Sequence, residues 1–349
     1  MGVRIKNLGK TVLFVAIGCV ILYLVSRLFG VSNEYSEHAE MIVNGYYEQE
    51  ENSIDALFIG NSHVYRYWQP AFAWEQHGLA SMEWSTSDLP YGAMKNVVIE
   101  ALKTQSPKVL VLDASVFANG KDGPSNKIYL LLDNMKYSAN YFDMIRNFCE
   151  FSDVEGMEKL QYYFPMIQFH SRWTELTELD FRQTMPSYLN SCYQENFLAK
   201  TIQPVEHIVT DKRVAIAPRS EDALRDLLGW CQKQDVEILF YIAPMLRKEK
   251  QTARFNYIGD IIKEYGQEFV NFNDGDLYGM FGFVESEDFQ DRNHTNIKGS
   301  YKFTNVFGEY LKERYGLSDR SGEAPYADWD AQASAYYAIV GPYLNAKTE

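Results

Sequence analysis

Five short apolar runs, separated by segments of helical periodicity, constrain the fold of this chain more than any other feature. The runs cover residues 54–59, 81–84, 108–113, 236–242 and 269–272. Apolar positions recur at helical spacing in the intervening and following segments 91–104, 221–234, 252–265 and 298–315. Strands that alternate with helices form parallel sheets with helices on both faces. The sequence therefore predicts a three-layer α/β/α sandwich around a mostly parallel five-stranded sheet.

The amino terminus predicts a membrane anchor. Residues 11–31 are almost continuously apolar and about as long as a bilayer crossing requires, and Arg27 is their one charged residue. Arg4, Lys6 and Lys10 precede the run, so the positive-inside rule places residues 1–10 in the cytoplasm. We therefore expect a single-pass protein of the cell membrane whose remaining chain is extracellular. The alternative is a cleaved signal peptide, which usually has a shorter apolar core and a small-residue cleavage site.

Composition and the remaining chain narrow the possibilities further. The formal net charge of −14 argues against nucleic acid as a partner. The four cysteines include no CxxC pair and imply no disulfide framework, although a bond between Cys149 and Cys192 stays open. No metal or dissociable cofactor is indicated. We expect a polar, acidic stalk with a lead-in helix over 32–52, one domain over 53–316 with an aromatic, helical insertion at 128–214 over one edge of the sheet, and a carboxyl-terminal extension over 317–349.

Two distant motifs carry groups suited to acyl chemistry. Ser62 follows the first predicted strand, and Gly60 allows a sharp turn that would present its hydroxyl at the carboxyl end of the sheet. Asp291 and His294 lie three residues apart, so one short loop can place both beside the serine. Together they supply a nucleophile, a general base and an orienting carboxylate. The alternatives are that Ser62 only caps the next helix and that Asp291 caps the last one.

These motifs resemble those of the SGNH (or GDSL) esterase and acyltransferase superfamily. The sequence Gly60-Asn61-Ser62-His63 resembles its first block, and Asp291-x-x-His294 its last. The continuation His294-Thr295-Asn296-Ile297-Lys298-Gly299 is similar to membrane-anchored bacterial members, such as the D-alanine transfer protein of teichoic acid and the alginate acetylation proteins. The resemblance spans roughly residues 53–316. It implies that Ser62 is the nucleophile, His294 the base and Asp291 the carboxylate that orients it.

The resemblance fails at the two middle blocks, which normally supply a Gly and an Asn to the oxyanion hole. Trp84-Ser85-Thr86-Ser87-Asp88 follows the second strand without that Gly, and Asp113-Ala114-Ser115 follows the third without that Asn. The oxyanion donors expected here are therefore the backbone N–H of Ser62 with Ser85 or Ser87. We expect Asp113 to order a loop by accepting backbone hydrogen bonds.

Five further residues are candidates for substrate binding: Asn61, His63, His170, Arg172 and Trp173. For the last three, ordinary packing with a surface charge is the competing interpretation. The function implied is transfer of an acyl group, such as acetyl, to a hydroxyl of a cell-envelope glycan through an acyl-Ser62 intermediate. The resemblance implies a membrane-bound O-acyltransferase as partner and a polysaccharide or teichoic-acid-like acceptor. The alternatives are a carbohydrate esterase that removes such groups and a non-catalytic scaffold of the cell envelope.

Overall fold

The core of the fold is one five-stranded parallel sheet. The computed structural model describes residues 2–28, 30, 34–118, 125–176, 178 and 201–345. The strands are β1 (Ala56–Gly60), β2 (Ser81–Ser85), β3 (Val109–Asp113), β4 (Glu237–Ile242) and β5 (Glu268–Asn271). Their order is β2-β1-β3-β4-β5, and every neighbouring pair is parallel. The predicted α/β class and parallel five-stranded sheet are confirmed.

Helices precede, connect and follow these strands. Those before β3 are α1 (Gly2–Leu28), α2 (Glu34–Tyr47), α3 (Ser62–Tyr67), α4 (Pro70–His77) and α5 (Tyr91–Ala101). Those between β3 and β4 are α6 (Tyr129–Leu132), α7 (Ala139–Phe151), α8 (Leu160–Tyr163), α9 (Pro165–Phe169) and α10 (Pro218–Cys231). The later ones are α11 (Glu249–Glu264), α12 (Gly275–Gly279), α13 (Glu285–Asp288), α14 (Ile297–Tyr315) and α15 (Trp329–Asn345). Short 3₁₀ segments lie at Ala114–Phe117, Asn126–Ile128, Gly156–Lys159, His170–Thr174 and Ala324–Tyr326.

Alternate side chains of the buried strands fill two separate cores. Leu57 and Ile59 of β1 belong to a core that also holds residues of α2, α5, α7, α10 and α11. Ala56 and Phe58 belong to the opposite core, which holds residues of α3, α4 and α14. Because successive strand residues point to opposite faces, a strand buried on both faces reads as a continuous apolar run. This packing agrees with the predicted three-layer sandwich.

The segment expected to be a stalk is instead packed on the domain. Within 32–52 the structure places α2, whose Ala39, Ile42 and Val43 are fully buried. The Tyr46 hydroxyl donates to the Ala101 carbonyl at 2.5 Å, and its ring lies 4.8 Å from that of Trp84. The acidic run at 48–51 lies beyond the end of α2, so it does not prevent the apolar side of the helix from packing.

Part of the expected insertion belongs to the helical layer itself. Helix α7 packs on α5, and a Cβ atom at Gly92 would lie 3.1 Å from that of Phe151. Asn96 donates to the side-chain oxygen of Asn140 at 2.9 Å. The described part of 128–214 therefore does not simply cover a sheet edge. Cys149, in α7, is a buried free thiol, and its suggested partner Cys192 lies outside the described residues.

The carboxyl-terminal extension packs back on the domain as a helix, as expected. Arg320 donates two hydrogen bonds to Asp55, at 2.7 and 3.0 Å. In α15, the buried Tyr336 donates to the Gln69 side chain at 2.5 Å. As for the amino-terminal anchor, no helix in the described part of the chain is both long and apolar enough for a membrane crossing.

Candidate functional site

Ser62 lies at the carboxyl edge of the sheet, where the strand order changes direction. It follows β1, which lies between β2 and β3. Open α/β sheets form their ligand crevices at this position, because the connections on the two sides leave to opposite faces. Ser62 is the first residue of α3 and is half-buried, so a small molecule can reach its hydroxyl.

The residues just before Ser62 have structural tasks. Gly60 ends β1 without a positive φ, and a Cβ atom there would lie 2.4 Å from the Cβ of Asp113. Close packing against β3, rather than left-handed backbone, thus explains this glycine. Asn61 caps α3, because its side-chain oxygen accepts the His63 amide at 2.8 Å. Asn61, and not Ser62, is therefore the cap, and the Asn61 side chain is buried rather than facing a substrate.

A tight loop between α13 and α14 brings Asp291 and His294 to the serine. Phe289 and Thr295 form an antiparallel bridge at its base, and the Gln290 amide donates to the His294 carbonyl at 2.9 Å. The Leu246 amide, after β4, donates to the Arg292 carbonyl at 2.9 Å. The loop is thus tied both to itself and to the sheet edge.

Ser62, His294 and Asp291 form one hydrogen-bonded series, here called the Ser62 cluster. The Ser62 Oγ atom lies 2.9 Å from His294 Nε2. His294 Nδ1 lies 2.9 and 3.1 Å from the two carboxylate oxygens of Asp291. Asp291 also accepts the amides of Asn293 and His294, at 2.7 and 3.1 Å. This arrangement fits proton transfer from a hydroxyl to an imidazole whose other nitrogen is held by a carboxylate.

The surroundings favour an ionised Asp291 and a neutral His294. Burial acts to raise the pKa of Asp291, but the hydrogen bond and charge of His294 outweigh it and lower that pKa to about 2. Burial also lowers the pKa of His294 below its usual value of 6.5, and the charge of His63 acts in the same direction, while Asp291 opposes both. A neutral imidazole is the form that can accept the serine proton.

The residues after His294 hold this loop in place. Thr295 donates to the Arg66 carbonyl at 2.6 Å, which ties the loop to α3. Asn296 caps α14 by accepting the amides of Lys298 and Gly299. Asn296 therefore has the capping role considered for Asp291. A Cβ atom on Gly299 would lie 2.2 Å from the Asp288 carbonyl oxygen, so only glycine fits there.

His63 lies inside the site rather than on its surface. Its ring stacks on that of His294, with centroids 5.3 Å apart and planes inclined by 25°. His63 Nδ1 lies 2.7 Å from the Ser115 hydroxyl and 3.6 Å from an Asp113 carboxylate oxygen. The other Asp113 oxygen accepts the Ser115 amide at 2.9 Å, which is the loop-ordering role expected for this residue. The sequence suggested that His63 binds substrate, but a buried ring cannot do so directly.

The two serines predicted to stabilise an oxyanion differ in availability. The buried Ser85 hydroxyl donates to Glu83 at 3.0 Å, so its proton is already engaged. Ser87 is half-buried and two residues beyond the end of β2. The Ser62 amide lies in the first turn of α3, where the helix supplies no acceptor for it. Of the predicted donors, the Ser62 backbone amide is therefore the best placed to donate to an oxyanion.

The patch of His170, Arg172 and Trp173 makes its described contacts elsewhere. His170 Nδ1 lies 3.1 Å from the Ile167 carbonyl oxygen, and Arg172 donates to the Gly30 carbonyl. Trp173 is 69% exposed. None of these contacts involves the Ser62 cluster, so the structure does not unite the patch with it.

Two residues that we did not select from the sequence border the cluster. The buried Tyr67 hydroxyl reaches the carbonyl oxygens of Pro244 and Asn293, the latter at 3.0 Å. Arg247 is half-buried, and its charge interacts with Asp291 and Tyr67. The Arg247 Nε atom is buried without a hydrogen-bond partner among the described residues. The position of Arg247 just beyond β4, at the carboxyl edge of the sheet, was the sequence feature that could have indicated it.

The described part of the chain contains no group of three or more His, Cys, Asp or Glu residues placed to hold a metal ion. Comparison of the chain with family models, curated proteins and solved structures found no match.

Proposed function

We propose that this chain is an extracytoplasmic serine acyltransferase that moves an acyl group, such as acetyl, onto a cell-envelope glycan. One observation carries the proposal: a half-buried serine hydroxyl lies 2.9 Å from an imidazole that a carboxylate holds at 2.9 Å. The SGNH-like motifs that supply these three residues are consistent with it.

The reaction proceeds in two balanced steps. Ser62 Oγ attacks the carbonyl carbon of the donor ester while His294 Nε2 accepts the hydroxyl proton. The tetrahedral intermediate collapses, and His294 returns the proton to the departing alkoxide, which leaves an acyl-Ser62 ester. An acceptor hydroxyl then attacks this ester and gives its proton to His294. Collapse of the second intermediate returns that proton to Ser62 and releases the acylated acceptor.

Negative charge on the two intermediates requires donors. The Ser62 amide supplies one, and Ser87 is the better placed of the two predicted side chains because the Ser85 proton is engaged by Glu83. Loss of one oxyanion donor costs roughly 2.7–4 kcal/mol of barrier in a well-studied protease. A site with few donors is therefore slow, which suits an enzyme whose acyl-serine must wait for a polymer rather than for water.

Arg247 favours an acidic acceptor. A half-buried guanidinium whose charge interacts with Asp291 can bind a carboxylate or a phosphate through its terminal nitrogens. The chain as a whole carries a formal charge of −14, so long-range attraction cannot hold an anionic polymer. A local cation at the Ser62 cluster could instead hold such a polymer, which is consistent with a teichoic-acid-like or uronic-acid acceptor.

Anchoring at the cell membrane is part of the proposal. The apolar run 11–31 and the basic residues before it support an amino-terminal anchor. In the described part of α1, large apolar side chains from Leu8 to Leu22 are exposed, for example Phe14 at 79%. A membrane-bound O-acyltransferase that hands over the acyl group would then lie in the same membrane. Carbonate-washed membranes should retain the full chain, and release into the wash would contradict the anchor.

One observation favours the esterase alternative. Asp291 is 41% exposed, so water has access to the edge of the cluster. The two functions share the acyl-Ser62 intermediate and differ only in the acceptor that consumes it.

The deciding experiment incubates the purified full chain with p-nitrophenyl acetate and then with a teichoic-acid or uronic-acid polymer. Acetyl on Ser62, followed by acetyl on the polymer, supports transfer, and Arg247→Met should weaken the polymer step more than the formation of acetyl-Ser62. Acetyl on Ser62 that yields acetate alone indicates an esterase. A chain that never carries acetyl on Ser62 contradicts both and favours the scaffold alternative.

A further inference from the structure

A second hydroxyl, imidazole and carboxylate lie directly behind the Ser62 cluster. They belong to Ser115, His63 and Asp113, and His63 Nδ1 lies 2.7 Å from the Ser115 hydroxyl and 3.6 Å from Asp113 Oδ2. Asn61 adds a long contact, with its side-chain nitrogen 3.5 Å from the same hydroxyl. The three residues come from the ends of β3 and β1, so the sheet itself fixes their positions.

Burial argues against a second nucleophile. Ser115, His63 and Asp113 are 1%, 3% and 0% exposed. No ester can reach the Ser115 hydroxyl without local opening of the sheet edge. The group must therefore act on something already inside the protein, and the His294 ring is the neighbour that it touches.

The buried carboxylate of Asp113 makes an unfavourable contribution to the free energy of folding. Its Oδ2 atom makes no hydrogen bond within the described part of the chain. A buried carboxylate oxygen without a partner is unfavourable unless a positive charge compensates it. The His63 ring lies 3.6 Å from it, and Tyr67 and Tyr241 also interact electrostatically with Asp113. Gly60 preserves this geometry, because a side chain there would displace Asp113.

The stacked rings connect this group to the Ser62 cluster. The His63 face, 5.3 Å from the His294 ring, leaves that ring little freedom to tilt away from Ser62. The groups that face His63 are Asp113 and Ser115 from the end of β3, His294 from its loop, and Tyr67, whose ring centroid is 6.5 Å away. During the proposed reaction His294 becomes positively charged between the His63 ring and the Asp291 carboxylate. Its orientation and its readiness to accept a proton both depend on what lies behind it.

We propose that His63, held by Asp113 and Ser115, is a positioning residue that fixes the His294 ring against Ser62. This inference rests on the proposed function, since it assigns His63 a task within that reaction. It explains why the residue after the serine is a buried histidine rather than an apolar residue.

The test compares His63→Phe with wild type in the full chain. Phenylalanine removes the nitrogen that bonds Ser115 and faces Asp113, so the ring behind His294 is no longer held in a fixed position. The rate constant for fluorophosphonate labelling of Ser62 should fall roughly tenfold to a hundredfold, the range expected for a misplaced base. The pH midpoint of labelling should rise, because the electrostatic effect of His63, which lowers the pKa of His294, is removed.

Two further variants keep the test decisive. Ser115→Ala removes only the hydrogen bond to His63 and should shift the midpoint in the same direction by less, even if His63→Phe unfolds. His77→Phe is the matched control, a buried histidine that contacts the Asn305 carbonyl oxygen instead, and it should leave both readouts unchanged. A label found on Ser115 would overturn the inference in favour of a second nucleophile.

Imidazole NMR titration of His294 separates this inference from the proposed function. If wild type is not labelled, the proposed function fails, yet a raised His294 midpoint in Ser115→Ala or His63→Phe still supports the positioning role. An unchanged His294 midpoint in both folded variants would overturn the role, whether or not Ser62 reacts.

Discussion

Gly299→Ala tests whether the segment after His294 sets the geometry of the Ser62 cluster. The new Cβ would lie 2.2 Å from the Asp288 carbonyl oxygen and 2.7 Å from Thr295 Cβ, whereas an ordinary contact is 3.4 Å or more. The same carbonyl accepts the Asn296 amide at 2.9 Å. A backbone oxygen cannot rotate away like a flexible side chain, so the chain on one side must move.

The magnitude follows from that clash. The separation must grow by about 1.2 Å, the difference between 3.4 and 2.2 Å. A displacement of about 1 Å in a catalytic group can reduce the rate about 100-fold. Overpacking costs about 1–3 kcal/mol, and alanine regains up to about 1 kcal/mol of helix propensity over glycine, so the net loss of stability is about 0–2 kcal/mol. We therefore expect slow labelling in a folded protein.

The assay is the rate constant for fluorophosphonate labelling, with thermal unfolding measured in parallel. Gly308→Ala is the matched control, because it lies in the same helix but its Cβ would meet the His77 side chain, 2.7 Å away. It should lose stability without a comparable loss of labelling. Gly299→Ala that labels at the wild-type rate would refute the idea that this segment positions Asp291 and His294.

Three further predictions concern the protonation states of the cluster. Labelling should rise with pH and reach half its maximum below pH 6.5, since the pKa of His294 is lowered and only its neutral form accepts the proton; a midpoint above pH 6.5 would contradict this. Folding lowers the pKa of both His294 and Asp291, so by linkage the stability that they contribute is present above their unfolded pKa values. The free energy of unfolding should therefore decline first as pH falls below 6.5 and again as it falls from 3.8 towards about 2. Unfolding measured as a function of pH can check this. Asp291→Asn should reduce the labelling rate by up to about 10⁴-fold with a much smaller loss of stability, because the amide oxygen can still accept the Asn293 amide while the hydrogen bond to His294 loses its charge. A variant whose slower labelling is accounted for by the fraction of unfolded protein would assign Asp291 a structural role instead.

The sheet was predictable because its strands are buried on both faces and read as uninterrupted apolar runs. The predicted runs 54–59 and 236–242 correspond to β1 and β4 within two residues at each end. Segment 32–52 was expected to combine a stalk with a lead-in helix, and its acidic residues at the far end obscured how closely the apolar side of α2 packs on the domain. The sequence does not show which helices pack on which face of the sheet. For this reason α7 was predicted to be part of an insertion.

The candidate site was predictable only where spacing along the chain determines geometry. Asp291 and His294 are three residues apart, so their meeting in one loop followed from the sequence. The stacking of His63 on His294 and the position of Arg247 depend on contacts between chain segments far apart in sequence. The engagement of Ser85 by Glu83 depends on the side-chain directions at the end of β2. No pattern in the sequence indicates these contacts.

The most direct test is active-site labelling of the purified full chain with a fluorophosphonate, followed by intact mass measurement and peptide mapping. The account predicts one label per chain on Ser62, no label in Ser62→Ala and a strongly reduced rate in His294→Ala. Label that persists in Ser62→Ala, or a folded wild-type chain that takes up none, would contradict it.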